Sequence, residues 1–248
     1  MSLSFIKVPE YNLTLSNNVK VKYRPFLIKE EKVLLMAVES KDENEMNNAL
    51  IKIVQQCTLS QIDVTKLPVY DFEYLWLNIR GKSVGEIIEM KLKCPDDDTV
   101  SVDYQLKLDD VKPDFDKKVN TKIEFEKDYG VIMKIPTIMQ IANKRTLLDL
   151  SFNLVRDCIA QIYNGEEVHE ANDLSKEELD EYVEHLTTKQ FTQIRKYFES
   201  LPIVSHLIKY KNPKSGKEFT LLLQGASDFF QYPSCMKTWR VCTVLILH

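Results

Sequence analysis

Residues 88–108, IEMKLKCPDDDTVSVDYQLKL, alternate apolar and polar side chains on either side of a Pro-Asp-Asp-Asp turn. Successive side chains of a strand point to opposite faces of its sheet, so each half predicts a strand with one buried and one solvated face. Two further alternating runs, 119–125 and 131–135, flank a second turn at 128–130. The stretch 86–135 therefore predicts an antiparallel β-meander.

Helical periodicity surrounds this meander. Apolar residues recur every three or four positions, which predicts helices, in the segments 46–57, 72–79, 148–162 and 191–201. Residues 29–40 are predicted to form a short apolar helix. N-cap patterns are formed by Asp42 with Glu45, Ser175 with Glu178, and Thr187 with Gln190. We expect the third helix to end near Gly81, the fourth to end at 164–165, and the polar segment 166–173 to be a mobile loop. Hairpins are predicted at 11–23 and 207–223.

The order of these elements is helices, sheet, helices and hairpin, which predicts an α+β fold: helical segments with an antiparallel β-meander and a C-terminal hairpin. Three parts are expected. Residues 1–135 hold the N-terminal hairpin, helices and antiparallel sheet. Residues 136–230 form a helical lobe that closes with a hairpin. Residues 231–248 are an apolar C-terminal tail.

Composition narrows the classes of function. The chain has 248 residues, with 33 Lys and Arg against 37 Asp and Glu, a net charge of −4. A nucleic-acid-binding domain usually has a basic face and a high pI, so no nucleic-acid partner is expected at a pI of about 5.7. Apolar runs fall short of the ~18 residues that predict a membrane span, and residues 1–10 show no secretory signal pattern. With 6 Gly and no phosphate-cradling motif, no cofactor is expected.

The cysteines predict neither disulfides nor a metal centre. They are scattered, which is typical of reduced thiols in a cytosolic protein, and stand at Cys57, Cys94, Cys158, Cys235 and Cys242. Cys94-Pro95 begins like a zinc knuckle, but Asp96–Asp98 stand where the second Cys of a knuckle belongs. Lys211-Asn212-Pro213 faintly echoes Lys93-Cys94-Pro95 at the later hairpin. No metal ligands are therefore predicted.

No catalytic residue is predicted either. The histidines lie in none of the standard hydrolase motifs, G-x-S-x-G or H-E-x-x-H, and are His169, His185, His206 and His248. Adjacent carboxylates are typical of solvated surface. A Cys–His or Ser–His pair formed in space stays open, because such partners need not be neighbours in sequence. The alternative is therefore a small cytosolic hydrolase-type enzyme with an unrecognised Cys/His or carboxylate site.

Three ordered stretches resemble a known family. They are residues 24–40, RPFLIKEEKVLLMAVES; residues 67–85, LPVYDFEYLWLNIRGKSVG; and residues 225–230, GASDFF. Together they resemble the baseplate protein family of T4-like contractile-tailed phages, a group that includes hub components and hub assembly proteins. The resemblance spans 5–230. Its motif residues, expected to have a structural role, are Arg24, Pro25, Phe26, Glu30, Glu31, Asp71, Arg80 and Gly85.

This resemblance implies a non-enzymatic tail baseplate protein, either a structural subunit or an assembly factor of the baseplate hub, that acts through protein–protein contacts. Its implied partners are other phage baseplate or tail proteins, and a homo-oligomer stays open. The implied locations are the host cell cytoplasm during assembly and the virion tail baseplate. Within the motif, we expect Arg24, Glu30 and Glu31 to position the first hairpin against the first helix.

The tail beyond the resemblance is a candidate partner-binding segment. It is rich in residues that favour strands and carries almost no charge, as expected of a segment that adds to an exposed sheet edge. The candidate residues are Trp239, Val241, Val244, Leu245, Ile246 and Leu247. The alternative is that the tail packs on its own domain.

Overall fold

The computed structural model of the chain describes residues 7–115, 118–142 and 149–229. In these ranges the strands are β1 Tyr11–Thr14, β2 Lys20–Tyr23, β3 Ile87–Cys94, β4 Asp97–Lys107, β5 Lys122–Glu126, β6 Tyr129–Met133, β7 Ile159–Asn164, β8 Glu167–Glu170, β9 Ser205–Lys211 and β10 Glu218–Gln224. The helices are α1 Ile28–Ser40, α2 Glu43–Cys57, α3 Val69–Val84, α4 Ile138–Ala142, α5 Leu154–Cys158, α6 Lys176–Glu184, α7 Thr188–Ser200 and α8 Ala226–Phe229. A π-helical turn, Asp149–Asn153, leads into α5. The predicted α+β class is confirmed.

The chain forms two compact units. The first comprises 7–64, 70–114 and 203–229 of the described residues, and the second comprises 65–69, 115, 118–142 and 149–202. The first unit therefore contains the hairpins β1–β2, β3–β4 and β9–β10 together with α1, α2 and nearly all of α3. The second contains a four-stranded sheet and α4 to α7.

The core of the first unit is built on α2 and α3. The predicted buried face of α2 is confirmed, because Met46, Leu50, Ile53 and Cys57 are at most 2% exposed. Asp42 caps α2, accepting the backbone N–H of Asn44 at 2.7 Å. The apolar side of α3 supplies further fully buried side chains, among them Phe72, Leu75, Trp76 and Ile79.

The second unit packs helices against the sheet β5-β6-β7-β8, in which every neighbouring pair is antiparallel. Side chains from β6, β7, α5 and α7 form its core, which includes Val131, Leu154, Ile162, Ile194 and Phe198. The predicted capping boxes at Ser175 and Thr187 are confirmed at the starts of α6 and α7.

The meander differs from the one expected at 86–135. Strands β3 and β4 form a separate two-stranded sheet, whereas β5 and β6 continue into β7 and β8. In the second strand pair β6 also pairs with β7, where Val131 lies opposite Ile162 and both side chains belong to the core of the second unit. Alternation predicted the individual strands, but their partners depend on contacts that are distant in sequence.

The expected helix through 148–164 is wrong in its second half. Its described part is helical only to Cys158, and β7 starts at Ile159. Ile159, Ile162 and Tyr163 satisfy helical spacing, but β-branched and aromatic residues also suit a strand, and β7 pairs on both sides. The expected loop 166–173 is also wrong, since it contains the edge strand β8. All four residues of this strand are exposed and three of them are polar, which is typical of an edge strand.

Helix α3 runs past Gly81, the residue at which we expected it to end. A Cβ at Gly81 would lie 2.6 Å from Leu108 Cδ1, so this glycine allows close packing inside the helix. The glycine that follows the helix is Gly85, whose φ of +146° is one that other residues rarely adopt.

The expected boundaries at 135 and 230 stay a prediction. The division into compact units groups β5 and β6 with the helices that follow them, and it groups the β9–β10 hairpin with the N-terminal elements. Across the described ranges, no helix has both the length and the apolar character that a bilayer span requires.

Candidate functional site

Helix α1 carries large apolar side chains on its solvent side. Ile28, Leu35 and Met36 are 69%, 56% and 68% exposed, and Val33 is 41% exposed. The buried residues of the helix are Leu34 and Ala37, together with Glu30. Charged residues occupy positions 29–32 and 39, but the run 33–38 between them is apolar on every side, whereas a surface helix normally keeps its apolar residues to the side that faces its own core. The exposed side of α1 is therefore typical of a surface that another molecule covers.

A shallow groove of about 430 Å³ extends this surface onto α2. Val33, Met36 and Ala37 of α1 and Ala49 of α2 form its apolar part, while the polar residues are Glu45, Asn48 and Lys52 of α2. The small alanines permit close approach, and Met adapts its shape to different partners. We call these residues, with Ile28 and Leu35, the α1–α2 surface.

An ion pair fixes the start of α1. Arg24 donates to Glu30 through Nη2 to Oε1 at 2.9 Å and through Nη1 to Oε2 at 3.3 Å. The two side chains are 12% and 2% exposed. Burial alone would raise the pKa of Glu30, but hydrogen bonds from Arg24 and from the Leu27 N–H outweigh it and lower the pKa. Both side chains of the pair are therefore charged, and the hydrogen bonds from Arg24 and the Leu27 N–H hold Glu30 in place at the start of α1.

The same junction is attached to the neighbouring helices. The backbone N–H of Arg24 donates to the Cys57 carbonyl at the end of α2, at 2.9 Å. The Phe26 N–H donates to Ser83 Oγ of α3 at 2.9 Å, and the Phe26 ring stacks on Trp76 with centroids 6.0 Å apart. These contacts define the position at which α1 leaves the β1–β2 hairpin.

The motif residues predicted from sequence divide into two groups. Arg24, Pro25, Phe26, Glu30 and Glu31 come together at this junction, with Glu31 in the first turn of α1. The other residues lie on or just after α3, and they are Asp71, Arg80 and Gly85. Their structural role stays a prediction, but the first group lies next to the α1–α2 surface.

Asp71 links α3 to the turn of the first hairpin. Its carboxylate accepts the N–H of Ser16 at 3.0 Å and the Ser16 hydroxyl at 2.6 Å. Burial raises the pKa of Asp71, while these two hydrogen bonds oppose that effect. The contact is a structural connection between α3 and the β1–β2 turn.

Sequence reasoning missed a further buried carboxyl, that of Glu73, which is 4% exposed. Burial raises its pKa to about 8, a backbone hydrogen bond from Ala226 acts in the opposite direction, and Asp228 adds repulsion. Gly225 lies against it, since a Cβ there would be 3.2 Å from Glu73 Oε1. In the sequence, Glu73 stands among the apolar residues of α3, and this position was the available signal that its carboxyl is buried. Glu73 connects α3 to the segment that follows β10.

Three of the thiols and histidines considered for the alternative hydrolase site have defined surroundings, whereas Cys235, Cys242 and His248 lie outside the described residues. Burial raises the pKa of Cys57 to about 12, so this thiol is not ionised at neutral pH. His169 lies 3.1 Å from Glu167 Oε1 on exposed β8, and His185 Nδ1 lies 2.7 Å from the Glu181 carbonyl at the end of α6. Across the described residues, no three His, Cys, Asp or Glu side chains are grouped to hold a metal ion. The candidate tail residues at 239–247 lie outside the described residues.

The α1–α2 surface was not predicted. Residues 33–38, VLLMAV, form a continuous apolar run, and such a run does not show which side of the helix is covered by its own domain. The run does exceed the apolar stripe that a helix needs for packing against one neighbour. That excess was the available signal.

Comparison with known proteins gives a family for the chain. The family model described as T4 bacteriophage base plate protein matches residues 8–231. The match covers most of the sequence, including the junction and the α1–α2 surface. Comparisons with curated proteins and with solved structures give no match.

Proposed function

Because this chain belongs to the T4 bacteriophage base plate protein family, we propose that it is a non-enzymatic protein of the phage tail baseplate, acting in the central hub or its assembly. The observation that carries the proposal is the α1–α2 surface, a partly apolar face left uncovered on an otherwise well-packed helix pair. Contiguous exposed apolar surface is typical of a protein interface.

The occupant that fits this surface is an amphipathic helix of another baseplate or tail protein. Helix α1 has 13 residues, about 20 Å at 1.5 Å per residue. Its sequel α2 follows after Lys41-Asp42, so the two helices form a helical hairpin with a groove between them. A third helix laid in such a groove buries its apolar stripe.

Charge gives the partner helix a direction. Glu45 and Lys52 lie along the same side of the groove, seven residues apart, or about 10 Å along α2. A fitting partner therefore has a Lys or Arg opposite Glu45 and an Asp or Glu opposite Lys52. This pairing adds little affinity at an exposed rim, but it favours one orientation.

Mixing experiments test the partner. The chain is mixed in turn with each of the other baseplate proteins of its phage, and the products are sized by chromatography with light scattering. We expect one stable heteromeric complex, lost in Met36→Glu and Leu35→Glu but kept in Lys91→Glu, a change at an exposed position on β3, outside the α1–α2 surface. A complex that both glutamate variants retain, or only self-association of this chain, would refute the proposed occupant.

The proposed role includes two forms, a subunit that stays in the hub and an assembly factor that leaves. Quantitative mass spectrometry of purified tails separates them, because a subunit is present in fixed copy number and a factor is absent. The chain would act in the host cytoplasm during assembly in either case, and at the virion baseplate in the first. The C-terminal residues 231–248 are proposed as a second docking segment.

A further inference from the structure

The tips of two hairpins in the first unit are joined by one carboxylate. Asp96, in the β3–β4 turn, accepts the Asn212 side-chain amide through Oδ1 at 2.7 Å and the Ser215 hydroxyl through Oδ2 at 2.6 Å. Both donors lie in the β9–β10 turn, more than one hundred residues away in the chain. We call this three-residue contact the Asp96 clasp.

The two turns share a spacing. Cys94-Pro95-Asp96-Asp97 and Asn212-Pro213-Lys214-Ser215 each place polar or thiol residues at the first and fourth positions, with Pro second. Two Cys-x-x-Cys turns that face each other supply the four ligands of a common structural zinc site. Here the corresponding positions are 94, 97, 212 and 215, and they retain one thiol, that of Cys94.

The second turn also has the internal hydrogen bonds of a knuckle. Asn212 Oδ1 accepts the backbone N–H of Lys214 at 2.8 Å and that of Ser215 at 3.3 Å. In a metal knuckle the first thiolate accepts N–H groups from the same two positions. Asn212 therefore stands in the place of a ligand sulfur, and like Cys94 it is fully buried.

Other contacts tie the two tips side by side. Tyr210 donates its hydroxyl to the Lys93 carbonyl at 2.9 Å, and Lys214 Nζ lies 3.6 Å from Asp97 Oδ2. Hydrogen bonds from Ser215 and Asn212 lower the pKa of Asp96, so the clasp carries a charged carboxylate near neutral pH.

We propose that the paired hairpin tips have the frame of a two-knuckle zinc site, in which the Asp96 clasp joins the hairpins in the way that a bound zinc ion joins them. The native chain holds its tips together by hydrogen bonds. Cysteines at positions 97, 212 and 215, with native Cys94, would complete a tetrahedral set of thiolates for zinc or cobalt(II). This inference is independent of the α1–α2 surface.

The restoration experiment uses the full chain carrying Asp97→Cys, Asn212→Cys and Ser215→Cys. We expect it to bind one cobalt(II) per chain with the visible absorption bands of tetrahedral thiolate coordination, and zinc should displace the cobalt and raise the Tm. The matched control adds Cys94→Ser to the same three changes and should lose the thiolate bands of the four-sulfur site. Binding that is absent, or that the control reproduces unchanged, overturns the proposed frame.

A second measurement does not depend on the folding of the triple variant. A double-mutant cycle compares Asp96→Ala, Ser215→Ala and the combination by thermal unfolding. The hydroxyl donates to the carboxylate at 2.6 Å and its other contact, the Lys217 N–H, is at 3.4 Å, so removing the hydroxyl should lower the Tm much less after Asp96→Ala than in the native chain. Fully additive losses, or no loss from Asp96→Ala, contradict the clasp.

Discussion

Replacing Arg24 by Ala tests how α1 is positioned. The change removes the guanidinium that donates two hydrogen bonds to Glu30, at 2.9 and 3.3 Å, and leaves the Glu30 carboxylate buried. Removing one partner of a buried ion pair costs ~3–5 kcal/mol. Glu30 keeps the Leu27 N–H at 2.6 Å and Lys29 Nζ at 3.6 Å, so we expect about 3 kcal/mol, the lower end of that range.

Thermal and urea unfolding measure this loss, and a change of about 3 kcal/mol corresponds to a fall in Tm of roughly 6–12 °C for a chain of this size. Glu31→Ala is the matched control, since it removes a carboxylate from the same helical turn and should cost under about 1 kcal/mol. The lowered pKa of Glu30 adds a pH signature. The folded state holds fewer protons than the unfolded state, so the pair stabilises above the ordinary Glu pKa of ~4.3, and the contribution disappears as the pH falls through the lowered value.

Two results would refute this reasoning. One is a loss for Arg24→Ala no larger than that for Glu31→Ala. The other is an Arg24→Ala variant whose stability declines at acid pH as steeply as that of the native chain. Either result would mean that the ion pair does not hold the junction.

Three further predictions concern the region around β10. The pKa of Glu73 is raised from 4.5 to about 8, so the native chain should lose up to about 5 kcal/mol of stability as the pH rises from ~4.5 through 8. Glu73→Gln should flatten this pH dependence in urea unfolding, and an unchanged pH dependence would contradict the prediction. Gly225→Ala adds a Cβ 3.2 Å from Glu73 Oε1 at a φ of +71°. This variant should lower the Tm more than Gly216→Ala, whose position also has a positive φ but whose added Cβ would meet its nearest atom at 3.7 Å. Equal losses of Tm would show that the close contact with Glu73 has no effect. Deleting 231–248 should preserve fold and solubility by circular dichroism but abolish a complex with baseplate neighbours; unfolding of the monomer, or intact complexes, would show that the segment does not dock on a partner.

Local signals in the sequence predicted the elements that depend on neighbours in the chain. Asp42, Ser175 and Thr187 begin helices where their spacing to a following carboxylate or amide indicated it. Helix α2 buries its predicted stripe because a 3.6-residue period is a property of the segment itself. The three predicted hairpins at 11–23, 88–108 and 207–223 form for the same reason, since their strands and turns are contiguous.

Contacts between distant segments were not predictable in the same way. Ile159 and Ile162 fit both a helix and a strand, and the pairing of β7 with β6 decides between them. The Asp96 clasp joins residues 116 positions apart, at Asp96 and Asn212. The exposure of Met36 depends on which side of α1 faces α2, information that a continuous apolar run does not contain.

The most direct test of the central claim is photo-crosslinking from α1 in phage-infected cells. A photoreactive amino acid in place of Met36 lies on the α1–α2 surface, and the same group in place of Lys91, an exposed position on β3, serves as the control. We predict that the probe at 36 is crosslinked to another baseplate or tail protein of the phage, identified by mass spectrometry, and that the probe at 91 is not. Crosslinks from 36 that reach no phage tail protein, or that match those from 91, would contradict the assignment of this surface to baseplate assembly.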